Sequence, residues 1–273
     1  VILRYTWPRV GGAERTGYRI PCWGLPPMAT NPVPEAQVPV NHFGRLFGVL
    51  FNPKETFEAI ARRPSWVAPV ILLTVLNVAV IVVFTQRVGW ERFMRQQLEH
   101  SPRAEQMTPQ EREHAIGRGT QFAQGVAFVA SVVAYPVVVA VIAGVLMLAF
   151  NLIAGAEVRY SMAAGVASHA MMPFTIISAL AIVVLCLKDP DTINLGNLVG
   201  SNVGALLASD TPPWLMKLGA SLDLFSFWAI ALLAVGFSAA NSKKIPVGRA
   251  LGVVIVLWAA YVFVKVGWAA ALS

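Results

Sequence analysis

Between Leu224 and Ala240 the chain carries no charged side chain, and a single carboxylate, Asp223, stands at the threshold of the run. A stretch of this length and character crosses a bilayer as a helix, so the charge at its edge marks a membrane boundary. Phe225 and Trp228, just inside, are of the aromatic type that settles at headgroup level. With its neighbours this run makes a series of crossings near residues 66–84, 122–150, 162–187, 222–240 and 247–271. Hydrophobic residues are 56% of the chain and charged ones 13%, against roughly 25% charged in a soluble domain. The pattern predicts an all-α, polytopic membrane helix bundle with about five transmembrane helices plus amphipathic interfacial helices. It occupies residues 41–273 as one membrane domain, with no separate soluble domain.

Residues 1–40 read as a disordered N-terminal tail. Residues 1–27 show neither a helix nor a strand period and no apolar core of a signal peptide. Met28 then opens Met-Ala-Thr-Asn-Pro as a candidate natural start, and Val33 to Val40 is a Pro-rich linker. Phe43, Leu46, Phe47, Leu50 and Phe51 recur at helical spacing, which predicts an amphipathic helix lying on the membrane. Asn52-Pro53 restarts the chain with an N-cap residue and a proline suited to the first helical position. Phe57 and Ile60 continue the apolar face to Arg62-Arg63.

The first crossing, Trp66 to Phe84, is about 28 Å long as a helix, close to the hydrocarbon thickness. Residues 85–121 are polar, and Glu91/Arg95 and Glu99/Arg103 at helical spacing read as solvated helical extensions, interrupted at Ser101-Pro102 and Thr108-Pro109. Pro136 lies within the second crossing and Pro173 within the third. Gly196, Gly200 and Gly204 recur every fourth residue in Ile193 to Ala208, which predicts one smooth packing face on a helix. At about 24 Å that helix is short for a span, so it reads as re-entrant or surface-lying, with a sixth crossing as the alternative. A short helix carrying Leu215, Leu218 and Leu222 leads to Asp223. The fourth and fifth crossings join at Asn241-Ser-Lys-Lys244 as a hairpin, with Lys265 near the far end of the fifth and able to snorkel.

The net charge of +7 comes from lysines and arginines scattered along the chain or beside apolar runs, which fits anionic lipid and topology setting and not nucleic acid. Arg62-Arg63 and Lys243-Lys244 abut crossings, so the expectation is a cytoplasmic N-terminus. Cys22 and Cys186 have neither disulfide nor metal-ligand spacing.

Asn52-Pro-Lys-Glu-Thr-Phe-Glu-Ala-Ile60 and Pro64-Ser-Trp-Val-Ala-Pro69 before the first crossing resemble the opening of bacterial members of the YIP family, the Ypt/Rab-interacting membrane proteins. Leu195-Gly-Asn197 and Asp223-Leu-Phe-Ser-Phe-Trp-Ala-Ile230 resemble that family's second half, so the likeness covers about Phe43 to Ala271. It implies a five-helix domain in the bacterial inner membrane with its N-terminus in the cytoplasm, no enzymatic reaction, and for eukaryotic relatives a part in vesicle traffic with small GTPases. Those relatives carry an acidic, Gly-Pro-containing signature before the first crossing. This chain has Arg62-Arg63-Pro64-Ser65 there, a departure that puts GTPase binding in doubt.

No G-x-x-x-x-G-K-[S/T], H-E-x-x-H or G-x-S-x-G occurs, so no catalytic residue, cofactor or metal is expected. The remaining candidates are helix-packing or polar contacts: Gly196, Gly200, Gly204, His169 and Asp223, with Asn77 and Asn151 as further polar residues in or near the membrane. His169 and Asp223 form a proton relay, or else His169 makes an interhelical hydrogen bond while Asp223 meets the dipole of its own helix. Gly200-Ser201 with His169 invites comparison with an intramembrane serine protease, without the surroundings of one. The expected function is a noncatalytic membrane-organising or partner-binding scaffold, in contact with lipid and with protein partners or further copies of itself; the alternative is a transporter or channel subunit using the second and third crossings, each kinked at its proline.

Overall fold

The computed structural model describes residues 42–99, 106–193, 197–208 and 211–271; the tail before Asn41, with Met28, and also Gly196 lie outside the described residues. Among the described residues ten α-helices follow in order: α1 (His42–Phe51), α2 (Pro53–Arg62), α3 (Val67–Arg87), α4 (Trp90–Glu99), α5 (Pro109–Ala154), α6 (Tyr160–Ala170), α7 (Pro173–Leu187), α8 (Pro213–Ser221), α9 (Leu224–Ala240) and α10 (Val247–Ala271). Four helices among the described residues are long and apolar enough to cross a membrane: α3, α5, α6 with α7 taken through their break, and α10. α9 is a shorter apolar helix of 17 residues. The described chain is therefore an all-α polytopic helix bundle.

One end of the bundle, here the near end, carries α1, α2 and the connections 155–159 and 241–246. Those connections are tied together, because Lys244 Nζ donates to the Gly155 carbonyl at 2.7 Å and lies 3.7 Å from Glu157. Asn151 shapes the first of them, its side chain bonding both the N–H and the carbonyl of Val158 at 2.6 and 3.0 Å. The far end carries α4, the start of α5, the described residues of the segment 188–222 and the end of α10.

α5 is 46 residues long, about 69 Å at helical rise, twice what a bilayer requires. It starts at Thr108, where sequence reading places only an interruption. The Thr108 hydroxyl accepts from Glu111 N while the Glu111 carboxylate accepts from Thr108 N at 2.8 Å, a reciprocal cap that fixes the first turn. From there the helix runs on through Pro136 to Gly155, whose φ of 54° ends it in the left-handed region. α4 packs along the first part of α5, where Arg95 bridges Glu91 and Glu113 at 2.9 and 2.8 Å.

α6 sits at the centre, with nine of its eleven residues buried. Its run of Ala, Gly and Ser lets α2, α5 and α9 approach it closely. It ends at Met171-Met172, because Pro173 has no N–H to continue the ladder. Two apolar clusters result. Phe57, Ile60, Phe150, Val166, Phe237 and Ile245 belong to the larger, in which the rings of Phe150 and Phe237 stand 4.6 Å apart. Phe84, Trp90, Leu185 and Ile193 make the smaller, at the far end.

The segment 193–208 is not the helix its glycine spacing predicts. Its described part holds one 3-10 turn, Val203–Leu206, and an isolated antiparallel bridge between Asn202 and Asp223. Ser201 and Asn202 spend their side chains on partners outside a helix, and each glycine in a helix interior costs about 1 kcal/mol relative to alanine.

Candidate functional site

The α1–α2 hairpin at the near end joins an apolar surface to the bundle. Sequence periodicity puts Phe43, Leu46, Phe47, Leu50 and Phe51 on one membrane face, but the structure divides them. Leu46 and Val49 turn into the core, whereas Phe43, Phe47 and Phe51 are 77%, 60% and 85% exposed. Four-residue spacing aligns the three rings in a single stripe along α1.

α2 anchors this stripe. Phe57 and Ile60 are fully buried, each over a glycine: a Cβ built on Gly236 of α9 would lie 3.0 Å from the Phe57 ring, and one on Gly165 of α6 would lie 3.1 Å from Ile60. Asn52 precedes α2, yet its side chain donates to Glu55 at 2.7 Å and accepts no backbone N–H, so Pro53 and the fixed turn start the helix without the expected cap. The two helices close on each other at Gly48, where a Cβ would stand 2.7 Å from Thr56 Oγ1.

Arg45 fastens the hairpin. Its guanidinium donates to the carbonyls of Arg63 and Ala59 at 2.9 and 3.2 Å and to Ser65 Oγ at 3.3 Å, joining the Arg63 N–H that already caps Ala59 at the C-terminal end of α2. Burial, and then the charge of Arg63, lower the pKa of Arg45 from the ordinary arginine value, but an arginine stays charged at any working pH.

Asp223 and His169 do not meet. Asp223 caps α9, its Oδ1 accepting from Ser226 N at 2.9 Å, and its Oδ2 accepts from Ser201 Oγ at 2.5 Å. His169 is 1% exposed, with Nδ1 2.8 Å from the Gly165 carbonyl of its own helix and 3.5 Å from Ser168 Oγ. A Cβ on Gly236 would overlap Val166, so that pair sets the register of the antiparallel helices α6 and α9. Counting along the axis from it leaves roughly 15 Å between His169 and Asp223. The relay geometry is absent, and the Ser201 hydroxyl serves Asp223 and not His169.

Of the glycines, Gly204 is buried and Gly200 exposed. Gly204 meets Gly219 of α8 backbone to backbone, since a Cβ on Gly204 would stand 2.9 Å from Ala220 N and one on Gly219 2.9 Å from Gly204 N. The close approach exists, but it joins a 3-10 turn to α8 and involves a glycine that the fourfold spacing misses.

Sequence reasoning missed a polar contact between α3 and α5. Asn77 Nδ2 donates to the Ser131 carbonyl at 3.2 Å. Ser131 and Tyr135 lie one turn apart just before Pro136, a spacing that signals one polar stripe on α5. Among the described residues no group of three or more His, Cys, Asp or Glu could hold a metal ion. The site offers apolar, basic and hydrogen-bonding surface.

A family model described as the Yip1 domain matches residues 47–269. None of the curated proteins and none of the solved structures matches the chain. The matched region takes in the second half of α1 and every helix after it to within two residues of the end of α10, and the chain is a multi-pass membrane protein that belongs to the Yip1 domain family.

Proposed function

We propose that this Yip1-domain protein is a noncatalytic membrane-organising scaffold whose α1 helix lies in the bilayer surface as a wedge fixed to the transmembrane bundle. The observation that carries it is the exposed row Phe43, Phe47 and Phe51 on a helix whose other side is locked down by Leu46, Val49 and Arg45. Each ring moved out of water contributes on the order of 2 kcal/mol, and a rigid anchor keeps that energy coupled to the bundle. The near end faces the cytoplasm in this reading, supported by Arg62-Arg63 and Lys243-Lys244 beside membrane-crossing helices, and α9 acts as the fifth crossing. The membrane is a bacterial inner membrane. Protein partners or further copies of the chain bind at the same cytoplasmic surface, while Arg62-Arg63-Pro64-Ser65 argues against a small GTPase.

Depth measurement tests the wedge. A nitroxide on F47C, in the full chain with Cys22 and Cys186 replaced by serine and reconstituted in liposomes, is expected to be relaxed more by lipid-soluble oxygen than by a water-soluble nickel chelate. Vesicles carrying the protein are expected to be smaller than those carrying F43S/F47S/F51S. A label relaxed mainly by the chelate, or equal vesicle sizes, sinks the reading.

A further inference from the structure

Lys217 of α8 and Lys265 of α10 are linked at the far end through one hydroxyl. Lys265 Nζ donates to Ser221 Oγ at 3.0 Å, and Ser221 Oγ donates to the Lys217 carbonyl at 2.8 Å. α8 packs against α10, and Lys217 lies four residues before Ser221 on α8, so its side chain leaves the same helix face that receives Lys265. Among the described residues no carboxylate pairs with either lysine. Asp223, two residues from Ser221, is buried and has both oxygens engaged by Ser226 and Ser201. Two like charges on neighbouring faces at a lipid boundary repel more strongly than they would in water, because the effective dielectric is lower there. An anion between them relieves that repulsion.

The depth of the pair points to the kind of anion. Lys265 is eighteen residues beyond the first residue of α10, about 27 Å along the helix and close to the hydrocarbon thickness. Each lysine also has an exposed tryptophan three residues away on its own helix, Trp214 for Lys217 and Trp268 for Lys265. Positions three apart share a helix face, and tryptophan settles at the membrane interface. Lys244 at the near end differs, since its ammonium is taken up by Gly155 and Glu157.

We propose that Lys217 and Lys265 bind the phosphate of an anionic phospholipid headgroup, with Trp214 and Trp268 flanking its glycerol and upper acyl region. Both ammonium groups donate to the phosphodiester oxygens while Ser221 holds Lys265 in place. The two indoles give a lipid apolar contacts that a soluble phosphate does not use.

The test is retention of phosphatidylglycerol over phosphatidylcholine by the full chain released from mixed-lipid nanodiscs, read by native mass spectrometry. The wild type is expected to retain phosphatidylglycerol preferentially, and K217Q/K265Q to lose that preference by roughly an order of magnitude. K54Q/K243Q, which removes two lysines of the near end, is expected to keep it. Misfolding is separated from loss of the site by K217Q alone, which leaves the Lys265 to Ser221 bond and is expected to weaken retention in part, and by K265R, which keeps the charge and is expected to retain lipid. No preference in the wild type, equal loss in K54Q/K243Q, or displacement of the lipid by inorganic phosphate alone overturns the proposal.

Discussion

Phe57 lies on Gly236 with no room for a methyl group between them: a Cβ on that glycine would stand 3.0 Å from two atoms of the ring and would overlap Val166 from the other side. Helices α2, α6 and α9 therefore meet at one hydrogen atom. The contact is how an interfacial helix is made part of a transmembrane core.

Gly236→Ala is expected to lower stability by about 1 to 3 kcal/mol, the range for overpacking a filled core. Thermal unfolding in detergent reads the loss. A variant Phe57→Leu in the same background should recover part of it by shortening the ring. An unchanged midpoint for Gly236→Ala would mean that α2 is not seated on α9.

The two described glycines of the fourfold series should behave oppositely. Gly200→Ala places its Cβ 3.4 Å from Ala205 Cβ, an ordinary contact, whereas Gly204→Ala drives its Cβ to 2.9 Å from the backbone nitrogen of Ala220. The backbone does not move aside as a flexible side chain does. We expect Gly200→Ala to stay within about 0.5 kcal/mol of wild type and Gly204→Ala to lose at least about 1 kcal/mol. Equal stabilities in detergent would place both glycines in open space.

That contrast shows what the sequence conveys and what it hides. Helices near each crossing were legible because lipid demands long apolar runs, and Asp223 was legible as a helix start because capping is local. Gly204 against Gly219 joins segments whose proximity depends on the whole fold, so a four-residue period pointed to a helix that does not form. The helical character of the polar stretch before the second crossing was legible, but the start of α5 was hidden by reading Thr108-Pro109 as an interruption, although Thr108-Pro-Gln-Glu111 already spells a reciprocal cap. The split of the α1 aromatics was hidden for another reason: periodicity sees one apolar face, and only the packing of α2 tells which part of it is taken.

Arg45 is expected to matter through its fork. Arg45→Lys preserves the charge but presents a single point donor where the guanidinium reaches two carbonyls and the Ser65 hydroxyl. Both Arg45→Lys and Arg45→Ala should loosen the hairpin by about 1 kcal/mol, at the low end for charged hydrogen bonds because the group is partly solvated. Limited trypsin digestion of protein in liposomes, followed at Lys54, should show faster cleavage in both variants. Cleavage at the wild-type rate in Arg45→Lys would show that charge alone fastens the hairpin.

The last prediction separates the scaffold from the transporter. A proton or ion path needs polar stations in sequence, each close enough to the next for a short hop. Here the polar groups within the bundle serve separate contacts. Asn77 bonds the Ser131 carbonyl between α3 and α5, Ser178 bonds the Phe174 carbonyl within α7, and His169 faces the Gly165 carbonyl within α6. Asp223 lies roughly 15 Å further along from His169, with both carboxylate oxygens engaged. Liposomes carrying the purified chain are therefore expected to pass no more protons, sodium or potassium under an imposed gradient than protein-free liposomes. His169→Ala should lower thermal stability by about 1 to 3 kcal/mol by emptying a buried position, and Asp223→Asn should weaken the cap of α9, each without a change in flux. Flux in the wild type that vanishes in either variant would instead assign the bundle to transport.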